Sequence, residues 1–89
     1  MNVEFDKSFE KWLSNISEAF VLKKVEQTIL KAENAKTIQD LPSTKKLTGY
    51  KNYYRIKIGD YRIGFERINK NTIRLIIVAN RKEIYRRFP

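Results

Sequence analysis

The feature that most restricts how this chain can fold is a change of period after Gly49. Over residues 53–58, Tyr54, Ile56 and Ile58 fall on one side and Tyr53, Arg55 and Lys57 on the other. A repeat of two marks an extended strand with one buried face. Gly59-Asp60 follows, a dipeptide suited to the positive φ of a two-residue hairpin turn. The return segment, about 61–68, sets Tyr61, Ile63 and Phe65 against Arg62, Gly64 and Glu66. Asn69-Lys70-Asn71 reads as a second turn, and 72–79 is nearly all apolar. Such a run suits a strand covered on both faces.

The first half has the helical period instead. Residues 2–6 alternate like a short strand, with Val3 and Phe5 as its apolar members. Asp6 or Ser8 is placed to cap a helix carrying Phe9, Trp12, Leu13 and Ile16. Ser17 reads as the next cap, opening a helix over about 18–34 with Val21, Leu22, Val25, Ile29 and Ala32 on one stripe. Lys23, Lys24, Lys31 and Glu33 fill its other face, so both helices read as packing elements. Residues 35–49 look irregular, punctuated by Pro42 and Gly49 and anchored by Ile38, Leu41 and Leu47. Residues 80–89 form a basic tail. The expected fold class is α+β, a single domain over 1–89. It has a short N-terminal strand and two helices packed on one face of an antiparallel β-sheet.

Composition removes several kinds of chemistry. A chain of 89 residues makes one domain, and 42% hydrophobic residues, with five Phe, five Tyr and one Trp, suffice for its core. It has no Cys, which excludes disulfides and thiolate catalysis. It has no His, the usual general base and the commonest metal ligand. Neither a metal nor a cofactor is expected. No apolar run is long enough to span a bilayer and no leader is recognised, so a cytoplasmic protein with no membrane partner is expected.

Charge is unevenly spread. Residues 1–43 carry six Lys against seven Asp or Glu, whereas residues 44–89 carry thirteen Lys or Arg against three. The excess of cations lies wholly in the second half, a distribution that attracts polyanions. Within it, Arg55, Lys57 and Arg62 are expected to share the open face of the hairpin. Three cations on one sheet surface repel one another, an arrangement that makes sense if a polyanion sits there. Tyr53 and Tyr85 lie near enough in this reading for bases to stack on them.

Two segments carry a family resemblance. Leu47-Thr-Gly-Tyr-Lys-Asn-Tyr-Tyr-Arg-Ile-Lys-Ile-Gly-Asp-Tyr-Arg-Ile-Gly-Phe-Glu resembles the central hairpin of the RelE/ParE toxin superfamily. There a Leu-x-Gly precedes an aromatic-basic-aliphatic strand, a turn and Tyr-Arg-aliphatic. The ending Asn80-Arg81-Lys82-Glu83-Ile84-Tyr85-Arg86-Arg87-Phe88 is similar to the family's terminal His-Arg-x-x-[Ile/Val]-Tyr-x-x-[Leu/Phe]. The order of elements agrees over essentially the whole chain. The resemblance implies the toxin of a type II toxin–antitoxin system, an endoribonuclease that cleaves mRNA in the decoding site of the ribosome. It also implies a cognate acidic antitoxin that covers or distorts the active face. Transferred by position, Arg55, Lys57, Arg62, Arg81 and Tyr85 would be catalytic. Asn80 stands where many relatives have His, and Asn transfers no proton.

Those roles have a physical basis. RNA carries its own nucleophile, so the enzyme must deprotonate the 2′-hydroxyl, stabilise the charged phosphorane-like transition state and protonate the leaving 5′-oxygen. Without His, a Lys among other cations is the remaining candidate base, which is Lys57. Arg55 and Arg62 have forked donors for phosphate oxygens. Arg81 would act at the leaving group, and Tyr85 would stack on a base. Lys45, Lys46, Tyr53, Lys82, Arg86 and Arg87 would bind RNA around them. Two other readings stay open: a ParE-like inhibitor of DNA gyrase, and a non-catalytic basic module that grips RNA or an acidic protein.

Overall fold

The computed structural model describes all residues, 1–89. Its elements are β1 (Asn2–Phe5), α1 (Lys7–Ser14), α2 (Ala19–Asn34), β2 (Thr44–Lys46), β3 (Tyr53–Ile58), β4 (Tyr61–Asn69), β5 (Thr72–Asn80) and α3 (Arg81–Arg87), with a 3₁₀ turn at Ile38–Asp40. The strands form one sheet in the order β1-β5-β4-β3-β2. The expected meander β3-β4-β5 is present and antiparallel. The sheet is mixed rather than antiparallel throughout, because β1 joins β5 in parallel, Asn2 opposite Thr72 and Phe5 opposite Leu75. The connection from β1 to β5 passes through the helices, as a parallel pairing requires.

Two expectations about the ends of that sheet change. Residues 44–46, read as irregular, form β2, with Lys45 opposite Arg55 and Lys46 opposite Tyr54. The basic tail is a helix, α3, capped by Asn80, whose side chain accepts from the Lys82 and Glu83 amides. In the first half, Asp6 is the cap of α1: its carboxylate accepts from the Ser8 amide and hydroxyl, which hold its pKa below the ordinary range. The Ile76 carbonyl, 2.7 Å from the Ser8 hydroxyl, is the alternative acceptor of its one proton and places α1 against β5. Ser17 does not cap α2. The flanking residue is Glu18, whose carboxylate instead accepts from the Tyr61 hydroxyl.

The main core lies between one sheet face and α1 and α2. Phe9, Ile16, Val21 and Val25 meet Ile56, Ile63, Phe65, Ile73, Leu75 and Val78 there. Leu22 is not part of the buried stripe; the docked line is Val21, Val25 and Ala32, and Leu22 lies on its exposed flank. A β-bulge decides what happens on the opposite face. Pairing with β4 shifts between Gly64–Ile77 and Phe65–Leu75, so Ile76 is the extra residue. Beyond it the parity of β5 inverts. Ile77 and Ala79 then face away from α1 and α2, where Ile84 of α3 covers them. The interior strand is thus buried on both sides, with two helices on one face and a short third helix on the other.

Candidate functional site

Alternation along β2, β3 and β4 builds the site. On the face away from α1 and α2, Lys45 of β2 lies directly opposite Arg55 of β3, and Lys57 of β3 directly opposite Arg62 of β4. These four side chains, with Ser43, line a concavity of about 320 Å³ that contains no hydrophobic residue. Like charges placed opposite one another on a sheet destabilise it. None of the four is neutralised: the ion pairs of the molecule are Arg74–Glu4 and Arg87–Glu83. Asp60 and Glu66, the carboxylates nearest in sequence, make no ion pair, and Arg74, the cross-strand neighbour of Glu66, bonds Glu4 instead.

Arg62 departs from the expectation of an exposed cation. Only 9% of it is accessible, and its Nη1 donates to the carbonyls of Gly59 at 2.7 Å and Tyr61 at 3.0 Å. Gly59 holds φ +66°, the left-handed turn conformation, so the guanidinium braces the hairpin while lining the concavity. Removing Arg62 would therefore break these two hydrogen bonds as well as relieve repulsion.

Helix α3 brings the remaining candidates. Arg81 and Tyr85 are four residues apart and therefore share a flank of the helix. Arg55 Nη1 donates to the Tyr85 hydroxyl at 2.7 Å, and its guanidinium carbon lies 5.3 Å from the Tyr85 ring centroid. That hydrogen bond and the Arg55 charge, with smaller help from Arg62 and Arg81, hold the phenol below its ordinary pKa. Tyr85 remains 66% exposed, so its ring is open to a ligand. The helix is anchored at both ends. Ile84 packs on Ile77 and Ala79, and the Phe88 ring lies over Gly64. A Cβ on Gly64 would fall 2.7 Å from Ile77 Cγ2 and 2.8 Å from the Phe88 ring, so only glycine leaves room for this closure. Phe88 does not hang free.

The structure therefore gathers Arg55, Lys57, Arg62 and Tyr85, with Lys45 beside them and Arg81 close enough for its charge to be felt at Tyr85. Other candidates are less central. Lys46 pairs with Tyr54 and has the parity of the face covered by α1 and α2, yet at the end of β2 it helps line the concavity that holds Arg55 and Tyr85. Tyr53 is half-buried, with ring contacts to Tyr50 and Phe88 at 5.8 and 5.5 Å, so it anchors the C-terminal segment. Lys82, Arg86 and Arg87 are exposed on α3, and Arg87 lies 3.9 Å from Glu83. Sequence reasoning missed Gly64 and Phe88 as the pair that seats α3. The signal was a glycine within the outward-facing set of β4.

Comparison with known proteins agrees with this arrangement. The family described as the ParE toxin of type II toxin–antitoxin systems matches residues 3–85. The chain belongs to that family. As a toxin of the RelE/ParE superfamily it has relatives in archaea. It is 41% identical to Toxin RelE3 of Methanocaldococcus jannaschii over 90 aligned positions, covering all of both chains. Its backbone matches a chain of the RelB-RelE antitoxin–toxin complex from Methanococcus jannaschii with a TM-score of 0.80 and 37% identity, over 97% of this chain and 99% of the other. The isolated E. coli RelE toxin shares the fold, with a TM-score of 0.70 at 22% identity over 96% of this chain and 90% of that one. No helix of the toxin is long and apolar enough to cross a membrane.

Proposed function

We propose that this toxin is a ribosome-dependent endoribonuclease that cleaves mRNA through the RNA's own 2′-hydroxyl. The observation that carries the reading is the double juxtaposition of like charges, Lys45 on Arg55 and Lys57 on Arg62, with no carboxylate in the concavity. Each directly opposed pair destabilises the sheet, a cost that a bound phosphodiester would offset. Lys57 takes the proton from the 2′-hydroxyl. The 2′-oxygen attacks phosphorus, the bond to the 5′-oxygen breaks and that oxygen takes a proton from solvent, leaving a 2′,3′-cyclic phosphate and a 5′-hydroxyl. Arg55 and Arg62 hold the non-bridging oxygens, and Arg81 stabilises charge at the leaving oxygen. Tyr85 stacks on a base. Because its oxygen already accepts from Arg55, its own proton is free to be donated. Asn80 is occupied as the cap of α3 and takes no part in proton transfer. Lys45, Lys46, Lys82, Arg86 and Arg87 draw the RNA in, and Tyr53 supports the segment that carries Tyr85.

The same proposal includes a cognate acidic antitoxin. The related chain from Methanococcus jannaschii is found in a RelB-RelE antitoxin–toxin complex, and the basic half of this chain suits such a partner. The test is translation in a purified cell-free system, with primer extension along the message. Wild type should produce cuts within codons only when ribosomes are present, and Lys57→Ala/Arg81→Ala should produce none. Intact message alongside blocked translation, or failure of gyrase supercoiling instead, would remove the nuclease reading.

A further inference from the structure

The basic surface does not end at the face just described. Three concavities follow one another around the β2 edge of the sheet and share their walls. The first, of about 220 Å³, includes Tyr85, Arg55 and Lys45. The second holds Lys45, Arg55, Lys57 and Arg62. The third, of about 270 Å³, opens between α2 and β3 and shares Lys57 and Ser43 with the second. Its further cations are Lys24 and Lys31, and no carboxylate lines it. Seven residues apart, these lysines repeat after two turns on one flank of α2, with Gln27 between them as a neutral donor. Neither lysine takes part in an ion pair. β2 pairs with β3 only over residues 54–56, so it ends before Lys57, which lines both the second and the third concavity.

We infer that the third concavity is a second phosphate-binding groove, which takes the backbone of the RNA strand as it runs from the catalytic face around the β2 edge. The inference rests on the proposal that the toxin acts on RNA. Lysine heads are mobile point charges that suit phosphates of any sequence, so the groove would add affinity without base preference. An amphipathic helix of a protein partner would need exposed apolar anchors there. The groove offers few: Leu41 and Ile56 are only 6% and 3% accessible and Ile58 is half-buried, which leaves Pro42 as its one exposed apolar residue.

The test measures binding of single-stranded RNA by fluorescence anisotropy across a salt series, without ribosomes and with every 2′-hydroxyl methylated. Cleavage then plays no part, so a toxin that proved unable to cut would still give a clear answer. The wild type is compared with Lys24→Gln/Lys31→Gln and with Lys24→Arg/Lys31→Arg, all on exposed positions. On an RNA of about 12 nucleotides the Gln variant should bind more weakly. Its plot of log affinity against log salt should be shallower by about 1.4, because each phosphate contact on a single strand contributes about 0.7. The Arg variant should keep the wild-type slope. On an RNA of about four nucleotides, which fills only the catalytic face, the Gln effect should vanish. Equal slopes for Gln variant and wild type on the longer RNA would overturn the inference. So would an equal loss on the short RNA, or a defect confined to antitoxin binding.

Discussion

Arg62 and Arg55 stand on the same face yet are held by different partners, and substitutions should separate them. Arg62 is largely out of water, its Nη1 bonded to the Gly59 and Tyr61 carbonyls. Arg62→Ala should therefore lose about 1.5–3 kcal/mol, the range for hydrogen bonds to charged groups, as well as activity. Urea melts read the first effect and message cleavage the second; a variant that melts like wild type would leave Arg62 with a ligand role alone. Arg55 bonds the phenol of Tyr85 and keeps its pKa below the ordinary 10.0. Tyr61 is pushed the other way, first by burial and then by its bond to Glu18. A titration followed by NMR of ring-labelled tyrosines should show Tyr85 ionising at lower pH than Tyr61. Arg55→Gln should move Tyr85 upward and leave Tyr61 where it was. Because folding lowers this phenol's pKa, its ionised form favours the fold. That contribution is absent below the folded pKa and grows as pH rises toward 10.0.

Among the elements, α3 governs whether the site exists, and its seat on Gly64 is a single point of failure. Gly64→Ala puts a methyl 2.8 Å from the Phe88 ring and should cost about 1–3 kcal/mol by overpacking. Activity should fall further than stability, because Tyr85 and Arg81 move with the helix. Adding Phe88→Ala should recover only part of that stability, because Ile77 Cγ2 still lies 2.7 Å from the new methyl, and should not restore cleavage. Removing the other anchor, Asn80→Ala, should cost about 1 kcal/mol, whereas Asn80→Asp should be near neutral in the same melts. The elements differ in how far the sequence revealed them. The period-two pattern over 53–58 and about 61–68 exposed β3 and β4, along with the shared face of Arg55, Lys57 and Arg62, because alternation specifies parity directly, and the apolar run 72–79 marked β5. Thr44–Lys46 is too short and too charged to alternate, so β2 becomes an element only through its bonds to β3, and Lys45 was placed by the structure. Helix α3 did leave a local mark, Asn80 followed three residues later by Glu83, a helix-start pattern obscured by the run of basic residues around it. The burial of Arg62 left none, since alternation gives a side chain's direction but not what its far end meets.

At the scale of the whole molecule, nineteen cations face ten carboxylates, and the two ion pairs that form are exposed at the surface. Attraction between charges therefore contributes little to stability, while repulsion along the β2 edge opposes folding. The molecule measures 33 × 28 × 23 Å. At about 0.01 M salt the screening length is roughly 30 Å, so every cation feels every other; at about 0.15 M it is roughly 8 Å, and only neighbours interact. Raising NaCl across that range should raise Tm, the reverse of what a domain held by surface ion pairs would do. A gain of about 1 kcal/mol corresponds to roughly 4–8 °C for a domain of this size. Lys24→Gln/Lys31→Gln should start from a higher Tm at low salt and respond less, since two charges of the crowded edge are gone. Scanning fluorimetry in an uncharged-buffer NaCl series measures both, with sulfate and phosphate left out because they would bind. A Tm that falls as salt rises would mean that attraction outweighs repulsion in the free toxin. The opposed pairs Lys45–Arg55 and Lys57–Arg62 would then carry no cost for a bound polyanion to offset, and the principal physical support for RNA as the ligand of this face would be lost.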